Sequence, residues 1–252
     1  KCLVTGGAGF IGSNLVDQLV KLDHLVVVLD NLVTGRLSNL HEVKNKVAFF
    51  NVDISDNKKS IEKYFENVDW VFHLAGLADI VPSIKNPHSY FRTNVQGTLN
   101  VLEASRKIKI KKLIYAASAS CYGIPDKYPT NEKSKIDTKY PYALTKFLGE
   151  QLVMHWANVY RMPNLSLRFF NAYGPRSRTT GAYGAVFGVF LAQKLAGKPL
   201  TIVGDGKQTR DFIHVFDLVD SVIKSAQNSK HGDIYNIGSG QETSVNLIAN
   251  II

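Results

Sequence analysis

A chain of 252 residues, 45% of them hydrophobic, is long enough for one large core or for a main domain with a smaller one, which excludes a disordered chain. Two cysteines exclude a disulfide framework and a cysteine metal cluster, and no apolar run reaches the roughly 18 residues of a membrane helix, so we expect a cytoplasmic protein without a membrane partner. The net charge of +9 does not indicate nucleic-acid binding, because the densest basic run, Arg106–Lys112, suits the C-terminus of a helix.

Short runs of β-branched residues alternate with helical stretches along the chain. The predicted strands are Lys1–Thr5, Leu25–Leu29, Val47–Asn51, Trp70–Leu74, Lys112–Ala116, Leu165–Phe169 and Ile234–Ile237. The predicted helices are Ile11–Lys21, Ile61–Glu66, Pro87–Lys107, Tyr142–Tyr160, Asp217–Ala226 and Ser244–Ile252. Such alternation is typical of a parallel sheet with helices on both faces, so we predict a doubly wound α/β fold of the Rossmann type.

The character of the sequence changes after Asn171–Pro175, where a glycine-rich and aromatic stretch, Gly181–Phe190, begins. We expect a smaller lobe here, interleaved with the main domain. Residues 1–172 with 205–238 form the predicted main domain, and residues 173–204 and 239–252 form part of the smaller lobe. The helical pattern near Ile252 is cut off, which predicts that the lobe continues beyond it.

A glycine loop, Thr5–Gly12, lies between the first strand and the first helix. Glycine permits a sharp turn and a close backbone approach, and the free N–H groups at the start of the helix face a pyrophosphate. The loop therefore predicts that the main domain binds a dinucleotide. The residues expected to contact it here are Gly6, Gly9, Phe10, Ile11 and Gly12.

Two aspartates follow predicted strands. Asp30 ends the second strand, at the spacing where a carboxylate accepts hydrogen bonds from the adenosine ribose, which favours NAD. Arg36 nearby leaves NADP as a lesser alternative. Asp53 follows the third strand, where it is either a cofactor ligand or a helix N-cap, and both interpretations stay open.

A candidate reactive group lies far downstream of the glycine loop. Tyr142 and Lys146 are four residues apart and so share one face of a helix. A tyrosine with a pKa of about 10 needs a nearby ammonium to serve as a base, and Lys146 supplies one. Ser118 follows a strand at the same sheet edge as the glycine loop, where its hydroxyl can bond a substrate oxygen that becomes a carbonyl.

Together these residues resemble the extended short-chain dehydrogenase/reductase family, and within it the NAD-dependent nucleotide-sugar epimerases and dehydratases of the UDP-glucose (UDP-N-acetylglucosamine) 4-epimerase type. The resemblance covers essentially the whole chain. Its motifs are Thr5–Gly12, Asp30-Asn31, Asp53-Ile54, His73–Gly76, Thr93–Val95, Ser118–Gly123, Tyr142–Lys146, Arg168–Asn171 and Arg210–Val215.

The resemblance implies a tightly held NAD and a UDP-sugar substrate that passes through a 4-keto form. Tyr142 would take the proton of the sugar 4-hydroxyl, Lys146 would lower the tyrosine pKa and hold the nicotinamide ribose, and Ser118 would bond the 4-oxygen. A homodimer formed by two long helices, Pro87–Lys107 and Tyr142–Tyr160, is a further expectation. The additional residues that the resemblance places at the cofactor are Asn31, Ile54, Leu74, Ala75, Gly76 and Asn94.

The same resemblance places Asn171 and Arg210 at the substrate diphosphate, for which an arginine fork is well suited. Without a ligand, Asn171 could form an Asx turn and Arg210 a salt bridge to Asp211. Asn94 could equally be a structural amide inside a helix. Ser83 and Ser120 are expected to line the sugar pocket.

Two positions separate the reactions of this family. Dehydratases carry an acid pair directly after the serine, and decarboxylases usually carry a glutamate there, whereas this chain has Ala119 and Ser120. The sequence therefore favours a 4-epimerase, and Gly181–Val186 resembles the segment of epimerases that accept N-acetylated sugars. A UDP-glucuronate epimerase, a 4,6-dehydratase and a reductase remain alternatives. A dinucleotide-binding sensor is a remote alternative, because such proteins typically lose the Tyr-Lys pair.

Overall fold

The computed structural model describes residues 1–56, 60–177 and 186–252. Its strands are β1 (Cys2–Thr5), β2 (Val26–Asp30), β3 (Val47–Asn51), β4 (Trp70–His73), β5 (Lys112–Ser118), β6 (Asn164–Phe169), β7 (Asn171–Tyr173), β8 (Thr209–His214), β9 (Ile234–Ile237) and β10 (Glu242–Ser244). Its α-helices are α1 (Phe10–Lys21), α2 (Ile80–Lys85), α3 (Pro87–Phe91), α4 (Gly97–Ile108), α5 (Pro141–Tyr160), α6 (Val186–Leu195), α7 (Val215–Asn228) and α8 (Val245–Ile251). The part of the predicted glycine-rich stretch from 181 to 185 lies outside the described residues.

Seven strands form a parallel sheet in the order β3-β2-β1-β4-β5-β6-β9. Alternate residues of each strand enter different apolar layers, because successive side chains of a strand point to opposite faces. Cys2 and Val4 pack with α1 and α7, whereas Leu3 packs with α4 and α5. The predicted doubly wound α/β fold is therefore confirmed.

A second sheet is formed by β10, β8 and β7 in that order. β7 follows β6 after one residue and pairs in parallel with β8, while β8 pairs antiparallel with β10. Between the two short strands β8 and β10 the chain returns to the large sheet, where α7 buries Leu218 and Val222 and β9 pairs with β6. The predicted division of the chain into two domains stays a prediction.

The predicted helix Pro87–Lys107 consists of three consecutive segments. α3 leads into a π-helical segment, Arg92–Gln96, which leads into α4. A π-segment accommodates an extra residue in a helix and frequently marks a functional site. A hydrophobic pattern does not reveal such an insertion, which is why the sequence predicted one uniform helix.

Two short helical elements are among the other differences from the prediction. The stretch Ile61–Glu66 contains a 3₁₀ turn, Glu62–Phe65, rather than an α-helix. The short helix α2 was not predicted, since Pro82 interrupts the helical pattern. Pro82 is tolerated because it lies in the first turn, where backbone N–H groups have no partner within the helix.

Candidate active site

The predicted site residues meet at the carboxyl ends of the central strands. The strand order reverses between β1 and β4, which are neighbours in the sheet, and ligands of open α/β sheets bind at such a point. Thr5 ends β1, His73 ends β4 and Ser118 ends β5, so the three chain segments that follow them emerge side by side. The glycine loop and the candidate reactive group therefore lie at the same edge.

The glycine loop fits a dinucleotide phosphate. Gly6 has a φ of +71°, and a Cβ there would come within 2.7 Å of the Ala75 nitrogen. A Cβ on Gly12 would collide with the Gly6 carbonyl oxygen. Gly9 occupies the N-cap of α1 and has no side chain to cap the helix, so the first-turn amides of Phe10 and Ile11 are left for an anion.

Asp30 is buried at the end of β2, with both carboxylate oxygens anchored. Oδ2 accepts the Ala8 N–H at 2.9 Å, and Oδ1 accepts the Leu32 N–H at 2.8 Å. A Cβ on Gly35 would lie 2.8 Å from Oδ2, so the backbone approaches the carboxylate closely on this side as well. The carboxylate is thereby held in one position with lone pairs left for the ribose hydroxyls. The neighbouring Asn31 accepts the Val33 N–H at 3.2 Å.

Asp53 caps none of the helices that the structure describes. Its Oδ1 accepts the backbone N–H of Ser55 at 2.9 Å and the Ser55 hydroxyl at 2.6 Å, while Oδ2 lies 3.2 Å from Arg92 Nη2. Burial alone would raise the pKa of this carboxyl, but the hydrogen bonds from Ser55 and Arg92 hold the pKa below its usual value. Next to it, the buried Ile54 packs beneath Gly97, whose Cβ would come within 2.9 Å of Ile54 Cδ1.

Asn94 lies in the π-helical segment and fastens the loop that follows β4. Its Oδ1 accepts the Leu77 N–H at 2.8 Å, and its Nδ2 donates to the Leu77 carbonyl at 3.0 Å and to Thr145 Oγ1 at 3.0 Å. Leu74, Ala75 and Gly76 form the start of this loop. A Cβ on Gly76 would lie 3.0 Å from Asn94 Oδ1, so the loop passes directly over the amide.

Ser118, Ser120 and Tyr142 form one hydrogen-bonded group. The Tyr142 hydroxyl donates to Ser118 Oγ at 3.1 Å, and the Ser120 hydroxyl donates to the same atom at 2.8 Å. The Ser120 N–H also lies 3.2 Å from this oxygen, and a hydroxyl oxygen with two lone pairs accepts only two of the three donors at a time. Burial raises the pKa of Tyr142 above 10, with the Asp79 carboxylate acting in the same direction and the two serine hydroxyls opposing it.

Lys146 is buried one helical turn after Tyr142. Its ammonium lies 4.4 Å from the centre of the Tyr115 ring, and the Tyr115 hydroxyl donates to the Lys146 backbone carbonyl at 3.1 Å. Burial lowers the pKa of Lys146 to about 7, against the opposing effect of Glu150. A buried lysine with this pKa exchanges its proton near neutrality, which is useful beside a tyrosine that must act as a base.

The candidate substrate residues lie on three different elements. The buried Ser83 donates its hydroxyl to the Ile80 carbonyl at 2.5 Å within α2. Asn171 on β7 is exposed and donates to the Asp211 carbonyl at 2.9 Å, and the exposed Arg210 on β8 donates from Nη1 to the Thr209 carbonyl at 2.7 Å. Asp211 itself accepts the Ser239 N–H and hydroxyl at 2.7 and 2.8 Å.

The family model of the NAD dependent epimerase/dehydratase family matches residues 2–238. The chain belongs to this family. The resemblance read from the sequence is thereby confirmed, and so is the expectation of NAD as the cofactor on which the family depends.

Similar proteins within the family carry more than one activity. A putative UDP-glucose 4-epimerase from Methanocaldococcus jannaschii is 39% identical over 251 residues, which cover 99% of this chain and 80% of the relative. A UDP-N-acetyl-alpha-D-glucosaminuronate decarboxylase from Bacillus cytotoxicus is 36% identical over 256 residues, covering 99% and 78%. The structure of UDP-N-acetylglucosamine 4-epimerase from Methanobrevibacter ruminantium in complex with UDP-N-acetylmuramic acid aligns with a TM-score of 0.95 at 33% identity, covering 100% of this chain and 80% of that one.

The structure of this family member adds side chains that the sequence interpretation had not assigned. Glu150, one turn beyond Lys146, receives Arg168 Nη2 at 2.6 Å and Nε at 2.9 Å, and this ion pair is buried. Two further residues were also not assigned. Thr145 accepts a hydrogen bond from the Asn94 amide, and the Asp79 carboxylate raises the pKa of Tyr142. The spacing of Glu150 from Lys146 was visible in the sequence, but its partner on β6 was not.

No helix within residues 1–56, 60–177 and 186–252 combines the length and the apolar character needed to cross a membrane. In that same part of the chain, no three His, Cys, Asp or Glu side chains gather closely enough to hold a metal ion.

Proposed function

We propose that this enzyme catalyses the NAD-dependent 4-epimerisation of a UDP-hexose or a UDP-N-acetylhexosamine. The observation that carries the proposal is the hydrogen bond of 3.1 Å between Tyr142 and Ser118 beside the buried Lys146. This arrangement suits removal of a proton from a secondary alcohol and its return to the same oxygen.

Ser118, Tyr142 and Lys146 have different roles in the proposed reaction. Ser118 would turn its hydroxyl toward the 4-oxygen of the sugar and so hold that oxygen against Tyr142. Tyr142 removes the hydroxyl proton and later returns it. Lys146 would stabilise the phenolate with its ammonium form and would hold the nicotinamide ribose. When bound, NAD supplies the redox chemistry of the cycle, oxidising the alcohol and then reducing the ketone.

The residues proposed to bind NAD lie in the glycine loop and at the carboxyl ends of the strands. First-turn amides of α1 at Phe10 and Ile11 would hold the pyrophosphate, for which the close packing of the glycines leaves room. Asp30, fixed by two backbone amides, would accept the adenosine ribose hydroxyls. The further residues proposed to line the cofactor are Gly6, Gly9, Gly12, Asn31, Asp53, Ile54, Leu74, Ala75, Gly76 and Asn94.

Asn171 and Arg210 would hold the diphosphate of the substrate. Both lie on the small sheet, are exposed, and retain donors beyond those given to backbone carbonyls. The small sheet would thus be the core of the substrate-binding lobe. Ser83 and Ser120 would line the sugar pocket, and Ser120 is already bonded to the reactive Ser118.

A decarboxylase is the second candidate, because a relative with that name is 36% identical to this chain. The residues after Ser118 argue against it, since Ala119 and Ser120 provide no acid at the positions where decarboxylases usually carry a glutamate. The UDP-glucuronate epimerase, 4,6-dehydratase and reductase activities would act on the same sugar carbon and remain less favoured alternatives.

We also propose a cytoplasmic homodimer. Phe91 and Leu144 are 53% and 45% exposed on neighbouring helices, so each of α3 and α5 presents a large apolar side chain to solvent. A second copy laid against these helices would bury it. Sedimentation of the purified protein tests whether it forms the dimer, and a monomer at all concentrations would contradict that proposal.

The function is tested by incubating the purified full-length protein with UDP-galactose and, separately, with UDP-N-acetylgalactosamine, and following the anomeric and H4 signals by proton NMR. The proposal predicts conversion of at least one of them to its gluco epimer. No conversion of either substrate, even with added NAD, would contradict it.

A further inference from the structure

A continuous chain of hydrogen bonds crosses the protein beneath the reactive site. The Ala75 N–H donates to Thr5 Oγ1 at 3.1 Å, and Thr5 Oγ1 lies 2.7 Å from His73 Nδ1. On the other side of the ring, His73 Nε2 lies 2.9 Å from Thr98 Oγ1, which donates to the Asn94 carbonyl at 2.7 Å. The chain therefore joins the loop after β4 to the π-helical segment through one buried imidazole.

The direction of these bonds fixes where the proton of the imidazole lies. Thr98 has a single hydroxyl proton, and it is given to Asn94, so Thr98 Oγ1 must accept from His73. His73 Nε2 therefore carries the proton, and Nδ1 is left as an acceptor for the Thr5 hydroxyl. With this tautomer every donor in the chain faces an acceptor, whereas a proton on Nδ1 would leave Thr98 with one hydroxyl proton for two acceptors, His73 Nε2 and the Asn94 carbonyl.

Both ends of the chain reach the surroundings of Lys146. At one end, the chain of hydrogen bonds stops at the backbone carbonyl of Asn94. The side-chain amide of the same residue donates to Thr145, the residue before Lys146. At the other end, Ala75 precedes Gly76, where a Cβ would lie 3.6 Å from Lys146 Nζ. Asn94 and the loop at Ala75, which lie on two sides of the Lys146 ammonium, are therefore both linked to the His73 imidazole by hydrogen bonds.

We propose that His73 is a positioning residue, which holds Ala75 and Asn94 around Lys146 as a neutral imidazole protonated on Nε2. The ring touches none of the reacting groups and acts through Thr5 and Thr98. The effect on turnover rests on the proposed function, whereas the state of the ring does not.

The surroundings of the ring keep it neutral. His73 is 0% exposed, and the titratable groups that face it are the phenol of Tyr115 on β5, with ring centres 5.5 Å apart, and the ammonium of Lys146 on α5. Toward β1 and α4 the ring contacts uncharged groups, the hydroxyls of Thr5 and Thr98. Burial and the Lys146 charge together lower the pKa of His73 to about 3.

The ring state is measured by long-range ¹H–¹⁵N NMR of protein labelled in histidine, at several values from about pH 5 to about pH 9. The chain contains 7 histidines, and the signal of His73 is the one lost in His73→Asn or displaced in Thr98→Val. We expect the pattern of the Nε2–H tautomer, unchanged across the range. A proton on Nδ1, or a titration near the usual histidine value, would overturn the proposal whatever reaction the enzyme catalyses.

The positioning effect is measured with isosteric changes at the far side of the ring. Thr98→Val keeps the shape but removes the hydroxyl, and we expect kcat to fall about tenfold with KM for the UDP-sugar changed less than about twofold. Thr98→Ser restores the hydroxyl and should restore kcat. Ser105→Ala is the matched control, because Ser105 is a buried hydroxyl of the same helix without a hydrogen-bond partner among the described residues.

A merely structural role of His73 would lower the melting temperature of Thr98→Val and leave kcat unchanged. That result, in protein that is folded and holds NAD, would overturn the positioning role. If the wild-type protein epimerises no UDP-sugar while the ring shows the Nε2–H tautomer, the proposed function fails and the assignment of His73 stands.

Discussion

The proposed reactive group and the proposed substrate residues of this enzyme are held in different ways. Lys146 is 7% exposed, and Tyr142 is bonded through its side chain to Ser118. Asn171 and Arg210, in contrast, are exposed on the small sheet and donate to backbone carbonyls. The proposed reactive group is thus assembled inside the protein before substrate arrives, while the groups proposed for the diphosphate remain open to solvent.

This difference has a kinetic meaning. A group that acts on the reacting atoms contributes mainly in the transition state, so its loss lowers kcat. A group that holds the nucleotide contributes to binding, and its loss raises KM. Changes on the two sides should therefore separate into the two kinetic constants.

The largest effect is expected at the base. Tyr142→Phe removes the phenolic oxygen and should lower kcat about a thousandfold, within the range for loss of a general base. Tyr140→Phe is the matched control, since Tyr140 is 45% exposed two residues before it. Epimerisation is followed by NMR, and NAD binding should be unchanged. A variant that keeps more than about a tenth of the wild-type kcat would break the comparison.

The burial of Lys146 should make the free energy of unfolding depend on pH. Its pKa is about 7 when folded and near 10.5 when unfolded, so the folded state binds fewer protons between these values and stability rises with pH there. Below the folded value the buried charge costs on the order of a few kcal/mol. Lys146→Met should therefore stabilise the protein most at about pH 6, with the gain falling toward about pH 10.

Urea unfolding at the two pH values measures this difference in the free energy of unfolding. Lys133→Met, at an exposed position, serves as the control and should change stability equally at both. A gain for Lys146→Met that does not depend on pH would contradict a buried, titrating ammonium.

A smaller effect, and on the other kinetic constant, is expected at the small sheet. Arg210→Ala removes charge-assisted hydrogen bonds and should raise KM roughly tenfold to a hundredfold, with kcat changed little. Arg210→Lys keeps the charge without the fork and should lie between the two. Steady-state kinetics decide it, and an unchanged KM would remove Arg210 from the substrate site.

The smallest effect is expected at Ser120, whose hydroxyl donates to Ser118 at 2.8 Å. Ser120→Ala removes one neutral hydrogen bond, so we expect kcat to fall about fivefold. If kcat fell as far as in Tyr142→Phe, Ser120 would belong to the reacting groups rather than to their support.

Local sequence signals predicted the part of the site that each segment builds alone. Asp30 was predicted at the end of its strand because a β-branched run leads directly into it, and β2 does end at Asp30. Tyr142 and Lys146 were predicted on one helix face from their spacing. Gly6, Gly9 and Gly12 were predicted from the turn they make possible, and Gly6 has a positive φ, which glycine adopts readily.

The parts that were missed depend on contacts between distant segments. His73 is bonded to Thr5 and Thr98, which lie on two other elements, and no spacing in the sequence brings the three together. The strands β7 and β10 have three residues each, too few for an alternating pattern. Asp53 could not be assigned in advance, since its partner Arg92 lies in the π-helical segment.

The most direct test of 4-epimerisation by Ser118, Tyr142 and Lys146 is the reaction run in D₂O, with deuterium at C4 and C5 of the sugar read by NMR. The account predicts that the C4 configuration inverts and that neither carbon gains deuterium from the solvent, because the C4 hydrogen leaves and returns as a hydride, which does not exchange with water. Solvent deuterium at C5 would contradict it and indicate a dehydratase or decarboxylase, and deuterium at C4 would show that the C4 hydrogen leaves as a proton rather than as a hydride.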